Sequence, residues 1–179
     1  MTLVRTASTP LAALGVLVLS AAMLVGCSPQ AEPTPTPTAA FASEEEAFAA
    51  AEETYRAYLE ASAARADGIG EANPERYLSG AALESDIQTQ RELVDAGLKI
   101  VGASTIHDFV GLGADFNASV ADISAEICVD ISASRVLDKD GSDVTPPNRP
   151  ERGNVKVVFS GSKEQLLISS TEPAESSTC

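Results

Sequence analysis

Apolar residues recur at helical spacing in the segment that follows Ser43. Ser43 and Glu46 have the spacing of a capping box, and three consecutive glutamates after Ser43 suit the positive end of a helix. Gly68 and Gly70 mark the end of the pattern. The predicted buried stripe of this first helix comprises Phe48, Ala51, Tyr55, Tyr58 and Leu59, followed by Ser62.

A second long helix is predicted from Gly80 to about Ala96. Pro74 begins a short turn or helix ahead of it, Ser79 is a candidate N-cap, and Gly97 is a natural C-terminal stop. The apolar positions that predict its buried stripe are Leu83, Ile87 and Val94.

Beyond Gly97 the pattern changes from helical spacing to alternation. Residues 98–112 are rich in β-branched side chains and glycine, which predicts a strand. Residues 119–132 alternate apolar and polar positions, as an antiparallel strand with one buried face does. A last hairpin is predicted around residues 155–168, with its turn at residues 161–163. The inward positions of the alternating segments are Ile123, Ala125, Ile127, Val129, Ile131, Val155, Val157, Phe159, Leu166 and Ile168.

This order of elements predicts an α+β fold, in which N-terminal helices pack on an antiparallel sheet of about four strands. The length assigned to it, residues 43–179, suits one domain.

An apolar run stands near the beginning of the chain. Residues 11–25 are apolar apart from Ser20, and Arg5 supplies a positive charge ahead of them. About 15 residues is the length of a signal-peptide core and is short of the roughly 20 that a spanning helix needs.

The end of this run, Leu24-Val25-Gly26-Cys27, resembles the lipobox of bacterial lipoproteins. The resemblance implies that residues 1–26 are a cleaved signal peptide and that Cys27 is acylated. The bilayer is then a partner, and the protein is lipid-anchored at the extracytoplasmic face of the cell membrane. The alternatives are an uncleaved anchor and an ordinary secretory signal with an incidental cysteine.

Residues 27–42 follow as a tract rich in proline and threonine. Such a tract is expected to be extended, and at about 3.1 Å per residue it reaches ~45 Å. We therefore predict a tether that lifts the domain off the membrane.

The sequence contains three cysteines. Lipidation of Cys27 leaves Cys128 and Cys179, and an even pair in an oxidising compartment predicts a disulfide. Closing a loop of about 50 residues contributes roughly 4 kcal/mol in the chain-entropy account. Two free thiols and an intermolecular bridge are the alternatives.

The formal net charge is −14. Nucleic acid is therefore not expected as a partner, because phosphate binding needs clustered Lys and Arg side chains. The same charge repels anionic headgroups, so the domain is expected to stand away from the membrane.

The helix order, the long strand through residues 127–131 and the loop at residues 140–152 resemble the NTF2-like, cystatin-related cone fold. The loop is also similar to segments of small actinobacterial lipoproteins. The resemblance implies a strongly bent sheet, but it carries no function, because this fold hosts enzymes, transport factors and assembly modules.

Enzymes of the NTF2-like class place Asp, His or Tyr inside the cone. The resemblance makes His107, Tyr55 and Tyr58 candidate cavity-lining residues. Adjacent strand residues face opposite sides, so Asp108 does not form a dyad with His107 by spacing alone. The alternative is an ordinary strand histidine and two core tyrosines, and we predict no catalytic set.

The loop from Asp138 to Arg152 contains three prolines, which stiffen it and suit a contact surface. A solvated connection between strands is the alternative. Its beginning fails the EF-hand pattern, because the glycine is fourth and the twelfth residue is an arginine. We therefore predict a turn there and no metal or cofactor. The candidate partner-contacting residues of the loop are Asp143, Thr145, Arg149 and Arg152.

These features lead to three functional hypotheses. The first is a non-enzymatic interaction module with an envelope protein partner. The second is a binder of a small apolar ligand in the cone cavity. The third is an enzyme of the isomerase or cyclase type.

Overall fold

The computed structural model describes residues 39–117, 119–174 and Cys179. The predicted signal peptide, the lipidation site Cys27 and most of the predicted tether lie outside the described residues. The helical elements are α1 (Glu44–Ala66), a 3-10 turn (Pro74–Tyr77) and α2 (Gly80–Asp95). The strands are β1 (Lys99–Val101), β2 (Thr105–Asn117), β3 (Val120–Asp130), β4 (Arg135–Leu137), β5 (Arg152–Ser162) and β6 (Gln165–Pro173).

The described strands form a bent antiparallel sheet in the order β2-β3-β5-β6 and a separate pair, β1-β4. This confirms the α+β class and the sheet of four strands. The predicted strand at residues 98–112 is divided, because β1 pairs with β4 while β2 pairs with β3. The last hairpin turns at Lys163 and Glu164, since Ser162 pairs with Gln165, and not at residues 161–163 as expected.

The two outer strands of the sheet have different surroundings. At β6, Leu78 bridges to Ile168, and the Ser79 amide donates to the Ile168 carbonyl at 2.8 Å. Within the described part of the chain, β2 pairs with β3 alone. Its register shifts at His107 and again at Leu112, which are β-bulges.

The alternation predicted for β3 is observed at Ile123, Ala125, Ile127 and Val129, which are buried, while the predicted Ile131 is half-buried beyond the strand. Tyr55 of α1 meets the Phe159 ring edge-on, with centroids 6.4 Å apart. Phe41, which the sequence pattern places in the tether, is only 3% exposed and packs against Phe116. The largest fully buried apolar side chains of the core are Phe159, Ile123, Ile127, Ile168 and Val157.

Ser43 caps α1 as predicted, but Glu46 reaches back to the amide of Ala42 and not to that of Ser43, so the capping box is only half formed. The Glu46 amide donates to Ser43 Oγ at 3.2 Å, and the Ala42 amide donates to the Glu46 carboxylate at 2.8 Å. The helix then lies close to β2, where a Cβ atom on Gly111 would be 2.6 Å from the Phe48 ring. Gly111 therefore lets α1 approach the sheet.

The predicted buried stripe of α2 is only partly correct. Ala82 is buried and Leu83 half-buried, but Ile87 is 37% and Val94 75% exposed. The beginning of α2 is held against β6, where Gly80 approaches the Ser169 carbonyl. The later turns bury little apolar surface, and they border the cavity described below. No helix among the described residues has the length and apolar character required to cross a membrane.

Candidate ligand-binding site

A cavity of about 450 Å³ lies between α1, α2 and β1, and we call it the α1–α2 groove. Its volume falls within the roughly 300–1,000 Å³ of small-molecule sites. Its apolar lining includes Leu59, Ala63, Ala66, Leu93, Leu98 and Ile100. Its polar lining includes Tyr58, Ser62, Arg65, Asp86, Gln90 and Lys99. The mixture of apolar wall and few polar groups is typical of a ligand pocket.

Arg65 and Asp86 form a bidentate ion pair that joins the two helices across the groove. The Arg65 guanidinium donates to the two Asp86 carboxylate oxygens at 2.9 and 3.0 Å and to Glu75 at 2.8 Å. The Asp86 side chain is 8% exposed, and its hydrogen bond raises the pKa of Arg65. Arg65 thus balances the charge of Asp86, and with Glu75 the cluster keeps an excess of one negative charge.

Tyr58 and Ser62 lie one helical turn apart on the same wall. Burial raises the pKa of Tyr58, and the negative charge of Asp86 adds to that shift. A hydrogen bond from the Ser62 hydroxyl to the ionised Tyr58 oxygen would lower that pKa. Ser62 Oγ is nevertheless buried without a well-aligned hydrogen bond to any described residue. A buried hydroxyl of this kind carries a free-energy cost that a ligand can remove.

Part of this site follows from the spacing of α1. Tyr58, Ser62 and Arg65 are separated by four and three residues, which places them on one face of a helix. The sequence pattern predicts Tyr58 and Ser62 in the buried stripe of α1, and it does not identify Arg65 as a site residue. Its partner Asp86 lies on another helix, so only the packing of α1 and α2 brings the pair together.

The rim of the groove exposes apolar side chains. Val94 and Ile100 both line the cavity and are 75% and 44% exposed. These side chains extend the apolar surface that a ligand could contact beyond the cavity wall.

Two of the three candidate cavity residues lie outside the groove. Tyr55 is 5% exposed and belongs to the core between α1 and the sheet. His107 is exposed at a bulge of β2 and is not among the residues that line the groove. Tyr58 is the one that lines it. The space between α1 and the sheet is filled by side chains such as Phe159.

The loop that contains the candidate partner residues is held by internal hydrogen bonds. The Val136 amide donates to Thr145 Oγ1 at 2.8 Å, and the Thr145 amide donates to Asp143 at 2.9 Å. Arg135 lies 3.6 Å from Asp143. The Thr145 hydroxyl holds the pKa of Asp143 below its ordinary value.

Arg149 acts as a clamp at the far side of the loop. Its guanidinium donates to Ser134 Oγ at 2.8 Å and to the carbonyls of Ile131 and Ser134 at 3.0 Å. At the start of β5, Arg152 Nε lies 3.8 Å from Asp130 Oδ2. The loop is therefore ordered, and the polar atoms of Arg149 point inward.

The acidic start of this loop forms a turn. One carboxylate oxygen of Asp138 accepts from the amides of Asp140 and Ser142, each at 2.9 Å. Gly141 has a φ of 81°, as such a turn requires. Among the residues that the structure describes, no group of three His, Cys, Asp or Glu side chains could hold a metal ion.

Cys128 and Cys179 form a disulfide, with Cα atoms 5.5 Å apart. Cys128 faces away from the core in the alternation of β3 and is still only 6% exposed. Its neighbours across the ladder are Asp108 and Asn154. The bridge therefore ties the C-terminus to the middle of the sheet.

The sequence matches no protein-family model and no curated protein. Among solved structures, it is similar to the intermembrane space region of the chloroplast protein ARC6. The TM-score is 0.48 at 14% identity, and the alignment covers 72% of this chain and 97% of that one. A similarity this weak assigns neither a fold family nor a function to this chain.

Proposed function

We propose that this chain is a membrane-tethered lipoprotein whose extracytoplasmic, NTF2-like domain binds a small apolar molecule in the α1–α2 groove without transforming it. The observation that carries the proposal is the groove itself. It combines a volume of about 450 Å³, an apolar wall and a buried Ser62 hydroxyl that lacks an aligned partner.

The size of the groove favours a small molecule over a protein segment. A volume of about 450 Å³ suits one drug-sized ligand. The exposed Val94 and Ile100 at the rim extend the apolar contact that such a ligand would make.

The sequence supports the proposed location, anchored by lipid at the extracytoplasmic face of the membrane. The apolar run at residues 11–25, the lipobox-like segment ending at Cys27 and the proline-rich tract agree with one another. The disulfide of the domain suits an oxidising compartment. The two helices on a bent sheet are the arrangement expected of the NTF2-like class.

Binding is tested with N-phenyl-1-naphthylamine, whose fluorescence rises in apolar surroundings. We expect saturable binding by the full domain and its loss in Ala63→Phe, which fills the groove. Ala49→Phe is the matched control, because Ala49 lies exposed on the same helix outside the groove. Equal binding by both variants would refute the assignment of the site.

The anchor is tested separately by Cys27→Ala. We expect the wild-type protein in the membrane fraction with incorporated fatty acid, and the variant without either. A variant that stays in the membrane fraction, with an unlabelled wild type, would refute the lipoprotein assignment.

A protein partner on the loop is a second candidate function. The hydrogen bonds of Thr145 and Arg149 hold the loop in one conformation, while Val144 is 45% exposed. A rigid loop loses little entropy on binding. Crosslinking in the native host should capture a partner with the wild-type protein and lose it with Val144→Asp. Unchanged capture by that variant would refute a role of the loop.

A further inference from the structure

We infer that the ligand of the α1–α2 groove is an uncharged amphipathic molecule, whose apolar body lies on the groove wall and whose single polar group hydrogen-bonds Ser62. This inference rests on the proposed function and adds the chemical class of the ligand.

The first step concerns the charges of the groove. Both carboxylate oxygens of Asp86 accept hydrogen bonds from Arg65, which also donates to Glu75. A charged ligand group would have to compete with an existing bidentate pair, and separating such a partly buried pair is costly. The pair offers a ligand neither a free cation nor a free carboxylate, so this part of the groove favours an uncharged polar group.

The second step concerns the hydrogen bond that the groove leaves unmade. A helical serine commonly bonds the carbonyl four residues earlier. Ser62 Oγ has no such bond in acceptable geometry to any described residue, although it is buried. A hydroxyl, carbonyl or amide of a ligand would supply the partner, with the nearby Tyr58 hydroxyl as a second contact.

The third step concerns the net charge of the protein. The chain has a formal charge of −14, which disfavours an anionic ligand at long range. Lys99 lines the groove, but it is exposed at its mouth. A carboxylate ligand would need the Lys99 ammonium group as its partner. The Lys99→Ala variant therefore tests whether the ligand is anionic.

The experiment compares ligands of one chain length in displacement of N-phenyl-1-naphthylamine: decane, 1-decanol, decanoate and decyltrimethylammonium. We expect 1-decanol to displace the probe at the lowest concentration. In Ser62→Ala its affinity should fall about 3- to 10-fold, to that of decane, since one net hydrogen bond contributes about 0.5–1.5 kcal/mol. Ser85→Ala, on the exposed surface of α2 outside the groove, should leave the order of ligands unchanged.

The thermal stability of the free protein separates recognition from a structural role. Removing a buried hydroxyl that lacks a partner should leave the melting temperature of Ser62→Ala equal to or above that of the wild type. A lower melting temperature would show that the hydroxyl stabilises the fold, and this would overturn the inference.

The remaining outcomes are distinguishable. Failure of the probe to bind at all refutes the proposed function. Probe binding with no preference among the four ligands, or with full 1-decanol affinity in Ser62→Ala, overturns the inference alone. So does a preference for decanoate that disappears in Lys99→Ala.

Discussion

Gly111→Ala should destabilise the domain, although glycine-to-alanine changes in strands usually stabilise. The added Cβ would lie 2.6 Å from the Phe48 ring, which is closer than carbon atoms pack. Overpacking of this kind costs about 1–3 kcal/mol. The gain from reduced freedom of the unfolded chain offsets only about 0.4–1 kcal/mol. The free energy of unfolding should therefore fall by about 1–2 kcal/mol, and α1 should shift from β2.

Urea unfolding followed by far-UV circular dichroism measures this change, and the protein contains no tryptophan to report it by fluorescence. Gly113→Ala is the matched control, because a Cβ there would be 3.9 Å from its nearest neighbour. In a Phe48→Ala background the Gly111→Ala penalty should vanish, which gives a coupling energy of about 1–2 kcal/mol. A penalty that persists in that background, or a stabilised single variant, would refute the reasoning.

Three further predictions concern the disulfide, the loop clamp and the start of α1. Cys179→Ser should lower stability under oxidising conditions by up to about 4 kcal/mol, because the bridge spans 51 residues; an oxidised wild type that melts with the variant would contradict this. Arg149→Ala removes its hydrogen bonds to the 131–134 turn, while both carbonyls of that turn keep other donors, and should cost about 0.5–1.5 kcal/mol; unchanged hydrogen exchange of that turn would count against the clamp. The hydrogen bond from Lys163 holds the pKa of Glu46 below its ordinary 4.5, so its contribution is present above pH 4.5 and lost as the pH falls through the folded-state pKa. The melting-temperature difference between wild type and Glu46→Gln should therefore shrink below about pH 4.5, and a difference constant with pH would show otherwise.

The sequence pattern predicted the elements whose periodicity is strong. The N-cap at Ser43 and the alternation of β3 depend on neighbouring residues, so local physics determines them. The predicted burial of Val94 was wrong, because a helical apolar position is buried only if another element covers it. Only the beginning of α2 packs on the sheet, so the burial of its later positions depends on tertiary packing. The spacing of apolar residues within α2 does not determine that packing.

The site was less predictable than the fold. Tyr58 was singled out through the resemblance to a cone fold, but it lines a groove between helices and not the space over the sheet. The pairing of Arg65 with Asp86 spans 21 residues and needs the tertiary structure. The pairing of Cys128 with Cys179 could be predicted because lipidation of Cys27 would leave two thiols.

The bulges of β2 have a consequence for molecules that accumulate side by side on one surface. An even outer strand offers its unpaired amides and carbonyls to the same strand of a neighbour, which leads to irreversible aggregation. The register shifts at His107 and Leu112 interrupt that row of groups. Crowded copies of this protein should therefore remain separate particles, even where their sheets meet edge to edge.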